Sequence, residues 1–265
     1  MIKAVFFDLD GTLISDTTGE IPKSARNAVD QLRKNGVKIF TATGRHISEI
    51  RDLPADDIKF DGYITLNGQL CLDSQEELLY SVPVSSTDVK QILHVFEEGH
   101  VPVMLVEKDK MYISFIDEKV RTAQAAIHTP VPDIGIYSGE PVYQCNLFTD
   151  EKTAEDIVAR LSDCKMSRWN PYAVDIISKS GGKVAGIRQI MRHYGIQQNE
   201  IMAFGDGEND MDMLRYAGIG VAMGNADREV KECADYITEH VDADGVENAL
   251  KHYYMSYSPL FPSRF

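Results

Sequence analysis

The chain has 265 residues, with 41 acidic against 27 basic side chains, a formal net charge of -14 and a sequence pI near 4.9. Such a balance offers no broad basic stripe, which argues against nucleic acid or an acidic membrane surface as a partner. Hydrophobic residues make up 43% and charged residues 26%, so the composition is that of a folded globular protein and not of a disordered one.

Residues 3–7 form a short apolar run that reads as a buried strand. Asp8 and Asp10 interrupt that apolar start before a signal-peptide core can form, and no later run approaches the ~20 apolar residues of a membrane span. The expected location is therefore cytoplasmic. Cys71, Cys145, Cys164 and Cys233 show no Cys-x-x-Cys spacing and read as reduced core thiols. After Pro22 the spacing of Ala25, Ala28, Val29 and Leu32 predicts a helix that stops at Gly36. A strand at 37–42, a short helix at 47–53, a strand at 62–66 and a hairpin over 68–82 follow. Strands alternating with helices imply a parallel sheet covered on both faces.

Past Pro83 the rhythm changes. Thr87 or Asp88 is the expected cap of a helix carrying Val89, Ile92, Leu93 and Phe96 on one face. A strand pair at 101–106 and 111–115 comes next, then helices at 117–128 and 150–161, with strands near 142–148, 164–169 and 172–178. Residues 178–182 are a plausible hinge back. From Lys183 the alternating pattern resumes, with a helix to His193, strands at 201–204 and 218–222, a helix from about Asn209, and a final helix. The predicted fold is α/β: a doubly wound, Rossmann-like parallel-sheet core built from residues 1–82 and 183–265, with an inserted α+β cap domain at 83–182. The aromatic tail 253–265 has no assigned role.

Chemistry concentrates at carboxyl ends of the core strands, where ligands bind in open α/β sheets. The run Asp8-Leu-Asp10-Gly11-Thr12 follows the first strand, and Gly205-Asp206-Gly207-Glu208-Asn209-Asp210 follows another. Together they supply oxygen ligands of the kind a hard cation selects, although an acidic turn that caps a helix would explain either one alone. Thr43, the Gly44 amide and an adjoining helix start after the second strand suit phosphate oxygens, where a plain helix cap is the competing reading. Lys183 opens a helix after a glycine pair. Arg45 and Asn67 follow the second and third strands and either reach a substrate or order their loops. His46 reads as a solvated helix-start residue. Trp169 and Tyr172 suit either core packing or a sugar-stacking platform.

With these blocks in that order and spacing, the sequence resembles the haloacid dehalogenase (HAD) superfamily, specifically its Cof-type branch of sugar-phosphate phosphatases. Asn67-Gly68 and the segment 221–226 also match that branch, while Ser180 stands where a glycine is common. The resemblance covers essentially the whole chain. It implies that Asp8 is a nucleophile forming an aspartyl-phosphate and that Asp10 is the acid and then the base. It implies Mg²⁺ held by Asp8, the Asp10 carbonyl and Asp206, with Asp210 steadying that shell and Thr12 holding Asp10. Thr43, Gly44, Lys183 and Asn209 would take the phosphoryl oxygens. The substrate would be a small phosphorylated metabolite such as a hexose phosphate, selected by the insert, and the chain would be a monomer or a homodimer. A phosphotransferase or mutase using the same intermediate is the nearest rival, and a non-catalytic phosphate sensor a more distant one. A dinucleotide enzyme is excluded, because no Gly-x-Gly-x-x-Gly loop follows the first strand.

Overall fold

The structure, a computed structural model, describes residues 1–256. Most of the tail named above lies outside the described residues. The first third of the chain contains β1 (Ala4–Phe7), α1 (Lys23–Lys34), β2 (Lys38–Ala42), α2 (Ile47–Arg51), β3 (Gly62–Thr65), β4 (Leu70–Asp73) and β5 (Leu78–Ser81). The middle contains α3 (Ser86–Glu98), β6 (Val103–Val106), β7 (Met111–Ile113), α4 (Glu118–Ala126), β8 (Gln144–Phe148), α5 (Glu151–Val158), β9 (Cys164–Asn170) and β10 (Ala173–Ser178). The last third contains α6 (Lys183–Tyr194), β11 (Ile201–Gly205), α7 (Met211–Tyr216), β12 (Ile219–Ala222), α8 (Arg228–Lys231), β13 (Tyr236–Ile237) and α9 (Gly245–Ser256).

Two sheets result. The larger has the order β13-β12-β11-β1-β2-β3-β4-β5, so strands from both ends of the chain lie side by side. Its strands pair in parallel from β13 to β3, and β4 and β5 add an antiparallel hairpin at the edge. β1 is buried on both faces, which is why it reads as a continuous apolar run. Ala4 and Phe6 pack with Ile187 and Ile190 of α6, whereas Val5 and Phe7 pack with Leu32 of α1 and Leu250 of α9. The Phe6 and Phe40 rings stack at 4.9 Å, as do those of Phe7 and Phe204. This register sets Phe7 level with both Phe204 and Thr41. The chain therefore leaves the sheet at one edge after Phe7, Gly205 and Ala42.

The smaller sheet, β7-β6-β8-β10-β9, belongs to the middle of the chain. One face carries Leu105, Cys145, Leu147, Val174 and Ile176 against Val89, Ile92 and Phe96 of α3 and Ile157 of α5. The other face carries Met104, Val106 and Phe148, and it meets α4 together with Leu66 and Leu70 from the larger unit. All four cysteines are buried and unpaired.

One local expectation is corrected. The cap of α3 is Ser85, whose hydroxyl accepts from the Asp88 amide at 3.1 Å, and not Thr87 or Asp88. Asp88 instead turns inward and accepts from the Ser162 amide, the Ser162 hydroxyl and the Asp163 amide at 2.8, 3.0 and 2.9 Å. A buried carboxylate that satisfies backbone donors is costly to delete, because the amides it served stay desolvated. Asp88→Ala is expected to lower stability by ~1–3 kcal/mol, read as a fall in the urea midpoint at unchanged m-value.

Candidate active site

Lys183 is the first residue of α6 and is buried to 3% exposure. Its ammonium donates to Asp8 Oδ1 at 2.7 Å and to Asp210 Oδ1 at 2.6 Å. It thereby joins the loop after β1 to the loop after β11. Asp210 Oδ2 accepts from the Asp206 and Gly207 amides at 3.0 and 2.9 Å, which ties that second loop into a tight turn. Oxygens of Asp8, Asp206 and Asp210 lie within 4.8 Å of one another. Burial, then the charges of Asp210, Asp206 and Asp10, raise the Asp8 carboxyl well above its ordinary range, with Lys183 opposing. Burial and Asp210 push Asp206 up to about 7, against the hydrogen bond from Thr12. One ammonium shared among these carboxylates leaves them short of positive charge.

The donors fit a hard divalent cation: they are all oxygens, closely grouped and under-neutralised. Gly11 makes room for the group. Its φ is +70°, and a Cβ there would lie 2.1 Å from Asp206 Oδ2. Any side chain would have to displace a carboxylate of the cluster.

Thr12 is fully buried, and its hydroxyl donates to Asp206 Oδ1 at 2.7 Å. The expectation that it holds Asp10 is thus corrected. The turn in which the Thr12, Leu13 and Ile14 amides all bond the Leu9 carbonyl rolls Thr12 beneath the loop, toward β11. Asp10 is held by Arg45, whose Nε and Nη2 donate to its two oxygens at 2.7 Å each. The same guanidinium donates to the Ile127 carbonyl at 2.8 Å and to the Thr129 hydroxyl at 2.6 Å, both in the segment after α4. Arg45 therefore links Asp10 to the inserted segment.

Thr43 is buried, and its hydroxyl accepts from the Arg45 amide at 3.1 Å. The helix start expected to aid Thr43 and Gly44 is occupied locally. α2 begins at Ile47, His46 caps it by accepting from Ser48, and Glu49 accepts from the His46 amide. His46 is correspondingly buried, not solvated, and its Nε2 sits 2.8 Å from the Lys108 carbonyl of the insert. Burial lowers its pKa.

Asn67 occupies the left-handed region at φ 53°, ψ 34° in the turn after β3. Its Nδ2 donates to Asp175 Oδ2 at 2.6 Å and to Gln144 Oε1 at 3.1 Å, and its Oδ1 accepts from Asn209 Nδ2 at 2.8 Å. The next residue, Gly68, has φ +86°, and a Cβ there would fall 2.1 Å from the Gly182 carbonyl, so this turn lies hard against the segment leading into Lys183. Trp169 is half-buried against the apolar cluster that includes Leu66 and Phe148, and its indole N–H donates to Asp175 Oδ1 at 2.7 Å. A cleft of ≈ 170 Å³ between the two units is lined by Asn67, Lys165, Lys183, Glu208 and Asn209.

Four participants had no role assigned from the sequence: Asn225, which lies in the matched segment 221–226, and Gln144, Asn146 and Asp175. Asn225 donates to the Gly11 carbonyl at 2.8 Å and to Asp206 Oδ2 at 3.2 Å. The other three were detectable by alternation. On β8 and β10 they share one sheet face, as polar interruptions among apolar neighbours.

A family model described as haloacid dehalogenase-like hydrolase matches residues 5–250, and the chain belongs to that family. YkrA of Bacillus subtilis, whose provisional name is that of a phosphatase, is 32% identical over 252 residues, 94% of this chain and 96% of that protein. YitU of Bacillus subtilis, a 5-amino-6-(5-phospho-D-ribitylamino)uracil phosphatase, is 31% identical over 94% of this chain and 97% of its own length. Among solved structures, the HAD subclass IIB sugar phosphatase BT4131 is 37% identical, with a TM-score of 0.86 and coverage of 95% and 98% of the two chains. These relatives place the chain among the phosphatases of the family. Among the described residues, no helix is long and apolar enough to cross a membrane.

The raised carboxyls give a pH signature. Between about pH 4, where a free aspartate ionises, and about 7, the folded chain keeps protons that the unfolded chain has released. Stability without divalent ions should fall as pH rises through this window, and Mg²⁺ should flatten the fall by favouring the ionised cluster. Urea midpoints from pH 4.5 to 8, in chelator and in Mg²⁺, measure both slopes.

Proposed function

We propose that the chain hydrolyses small phosphorylated metabolites, sugar phosphates foremost, in a Mg²⁺-dependent reaction that passes through a phosphoryl group on Asp8. The observation that carries this reading is the meeting of Asp8, Asp206 and Asp210 around a single buried ammonium, with a further carboxylate, Asp10, held apart by Arg45. Two neighbouring carboxylates in different surroundings suit two roles.

Mg²⁺ would be held by Asp8, the Asp10 carbonyl and Asp206, where it would offset the repulsion between an anionic nucleophile and an anionic ester. A carboxylate oxygen of Asp8 attacks phosphorus, the bond from phosphorus to the ester oxygen breaks, and Asp10 gives that oxygen a proton. In the second step Asp10 takes a proton from water as the water oxygen attacks the same phosphorus, which frees Asp8 and phosphate. Lys183, held at Asp8, is placed to face the phosphoryl oxygens, joined by the Thr43 hydroxyl, the Gly44 amide and Asn209. Both Asp10 oxygens accept one N–H from Arg45, and each keeps a second lone pair through which the acid can meet a leaving-group oxygen. Arg45 is thus a positioning residue for Asp10 in this reading.

The substrate class is supported by similarity to a sugar phosphatase and to a phosphatase of a phosphorylated ribityl compound. The inserted unit lies over the site through Arg45, His46 and Asn67. There it excludes water and selects the leaving group.

Phosphate release from a panel of hexose, pentose and polyol phosphates, with Mg²⁺ and with chelator, tests the proposal; turnover that persists in chelator would refute it. Asp8→Asn is expected to remove turnover while the thermal midpoint stays at or above the wild-type value, since it relieves repulsion in the cluster. Asp10→Asn is expected to lower kcat by roughly 10²–10⁴-fold.

A further inference from the structure

Asp175 sits in the middle of β10, between Val174 and Ile176, directly opposite Asn146 of β8. It is 6% exposed. Its neighbours on the strand point to the apolar face under α3 and α5, whereas Asp175 points toward the larger unit. A carboxylate at such a position is costly to bury, and an aliphatic residue would fill the space at lower cost. The partners named for it are N–H donors: Trp169 Nε1 and Asn146 Nδ2 on Oδ1, and Asn67 Nδ2 on Oδ2. Two of the three hold it within the insert, and the third belongs to the core.

That third bond has a consequence through the two-ended chemistry of an amide. An asparagine that points its NH₂ at a carboxylate must point its oxygen the other way. Asn67 does so, and its Oδ1 receives Asn209 Nδ2 at 2.8 Å. Asn209 lies between Asp206 and Asp210 in the loop that closes the cluster. Gln144, on the same sheet face as Asp175, adds a bond to Asn67 Nδ2 and donates to the Gly44 carbonyl at 3.3 Å. A line of hydrogen bonds therefore runs from a buried acid in the insert, through one core amide, to a second core amide at the site.

We propose that Asp175 is a positioning residue that fixes the amide of Asn67, and through it that of Asn209, so that Asn209 is correctly presented to the phosphoryl group only while the insert sits on the core. The functional half of this inference rests on the reading of Asn209 as a phosphoryl-binding side chain. The insert then acts on the chemistry, in addition to covering it, and a substrate that seats the insert poorly is turned over more slowly for that reason.

Two measurements test it. The first needs no turnover: side-chain amide NMR of the Mg²⁺-loaded full chain, with the Asn209 signals assigned by their loss in Asn209→Ala. Asp175→Asn, nearly the same shape, should shift the Asn209 side-chain pair while leaving that of Asn225, across the cluster, in place; unmoved Asn209 signals would overturn the proposal. The second is a double-mutant cycle on kcat/KM for p-nitrophenyl phosphate and a hexose phosphate. Asp175→Asn and Asn209→Ala should each lower it ~10-fold, and the double variant should be no worse than Asn209→Ala. Multiplicative losses, as expected of a purely structural Asp175, would count against it. If Asp175→Asn fails to fold, Asn67→Ala cuts the same line at its middle link and takes its place in both measurements. If the wild type releases no phosphate, the phosphatase reading fails, and the NMR result still decides the relay.

Discussion

The ammonium of Lys183, set between Asp8 and Asp210, is the interaction on which the rest of the site depends. It is buried, both its carboxylate partners are buried, and they arrive from loops about two hundred residues apart in sequence. In a region of low dielectric, one such charge organises its surroundings strongly but cannot neutralise three acids. Burial first, and then the uncompensated negative charge, raises Asp8 and Asp206, and that excess of negative charge suits the pocket to a second cation. An overall charge of -14 is no obstacle to an anionic ligand when the local balance can be reversed in this way.

The sheet makes that meeting possible. β1 pairs with β2 on one side and β11 on the other, in register, so three loops start from the same level. The loops then depend on absent atoms as much as on present ones. A side chain at Gly11 would enter the carboxylate cluster, and one at Gly68 would push the Asn67 turn away from the segment before Lys183. Backbone freedom and close approach are used together at both positions.

Much of this was legible beforehand, because the motifs sit at strand ends and the core strands are continuous apolar runs. The core and insert elements follow from periodicity, and strand ends bring Asp8, Asp10, Lys183 and Asp206 toward one edge, while their joining in one site is what the family resemblance implied. The details that escaped depend on which way a side chain turns once its neighbours are in place. Thr12 serves Asp206 because a tight turn inverts it. His46 is buried because a carbonyl from the distant Lys108 loop lies over it, and no local pattern reports that contact. Ser85, and not Thr87 or Asp88, caps α3, and the Asp88 carboxylate is taken by backbone amides seventy-odd residues away. Asp175 and Asn146 were visible as polar breaks in alternating strands, yet their meaning appears only when the second unit supplies a partner.

The insert grips the core through hydrogen-bonding groups that water can replace and through an apolar cluster shared by both units. Arg45 reaches Ile127 and Thr129, His46 reaches Lys108, and Asn67 reaches Asp175 and Gln144, alongside a modest apolar contact at Leu66 and Leu70. A neutral contact of this kind gives up about 0.5–1.5 kcal/mol net when solvent takes over, and those of the Arg45 guanidinium and the Asp175 carboxylate about 1.5–3 kcal/mol. Under the phosphatase reading, release of a spent phosphate ion would ask these contacts to part while each unit keeps its own core.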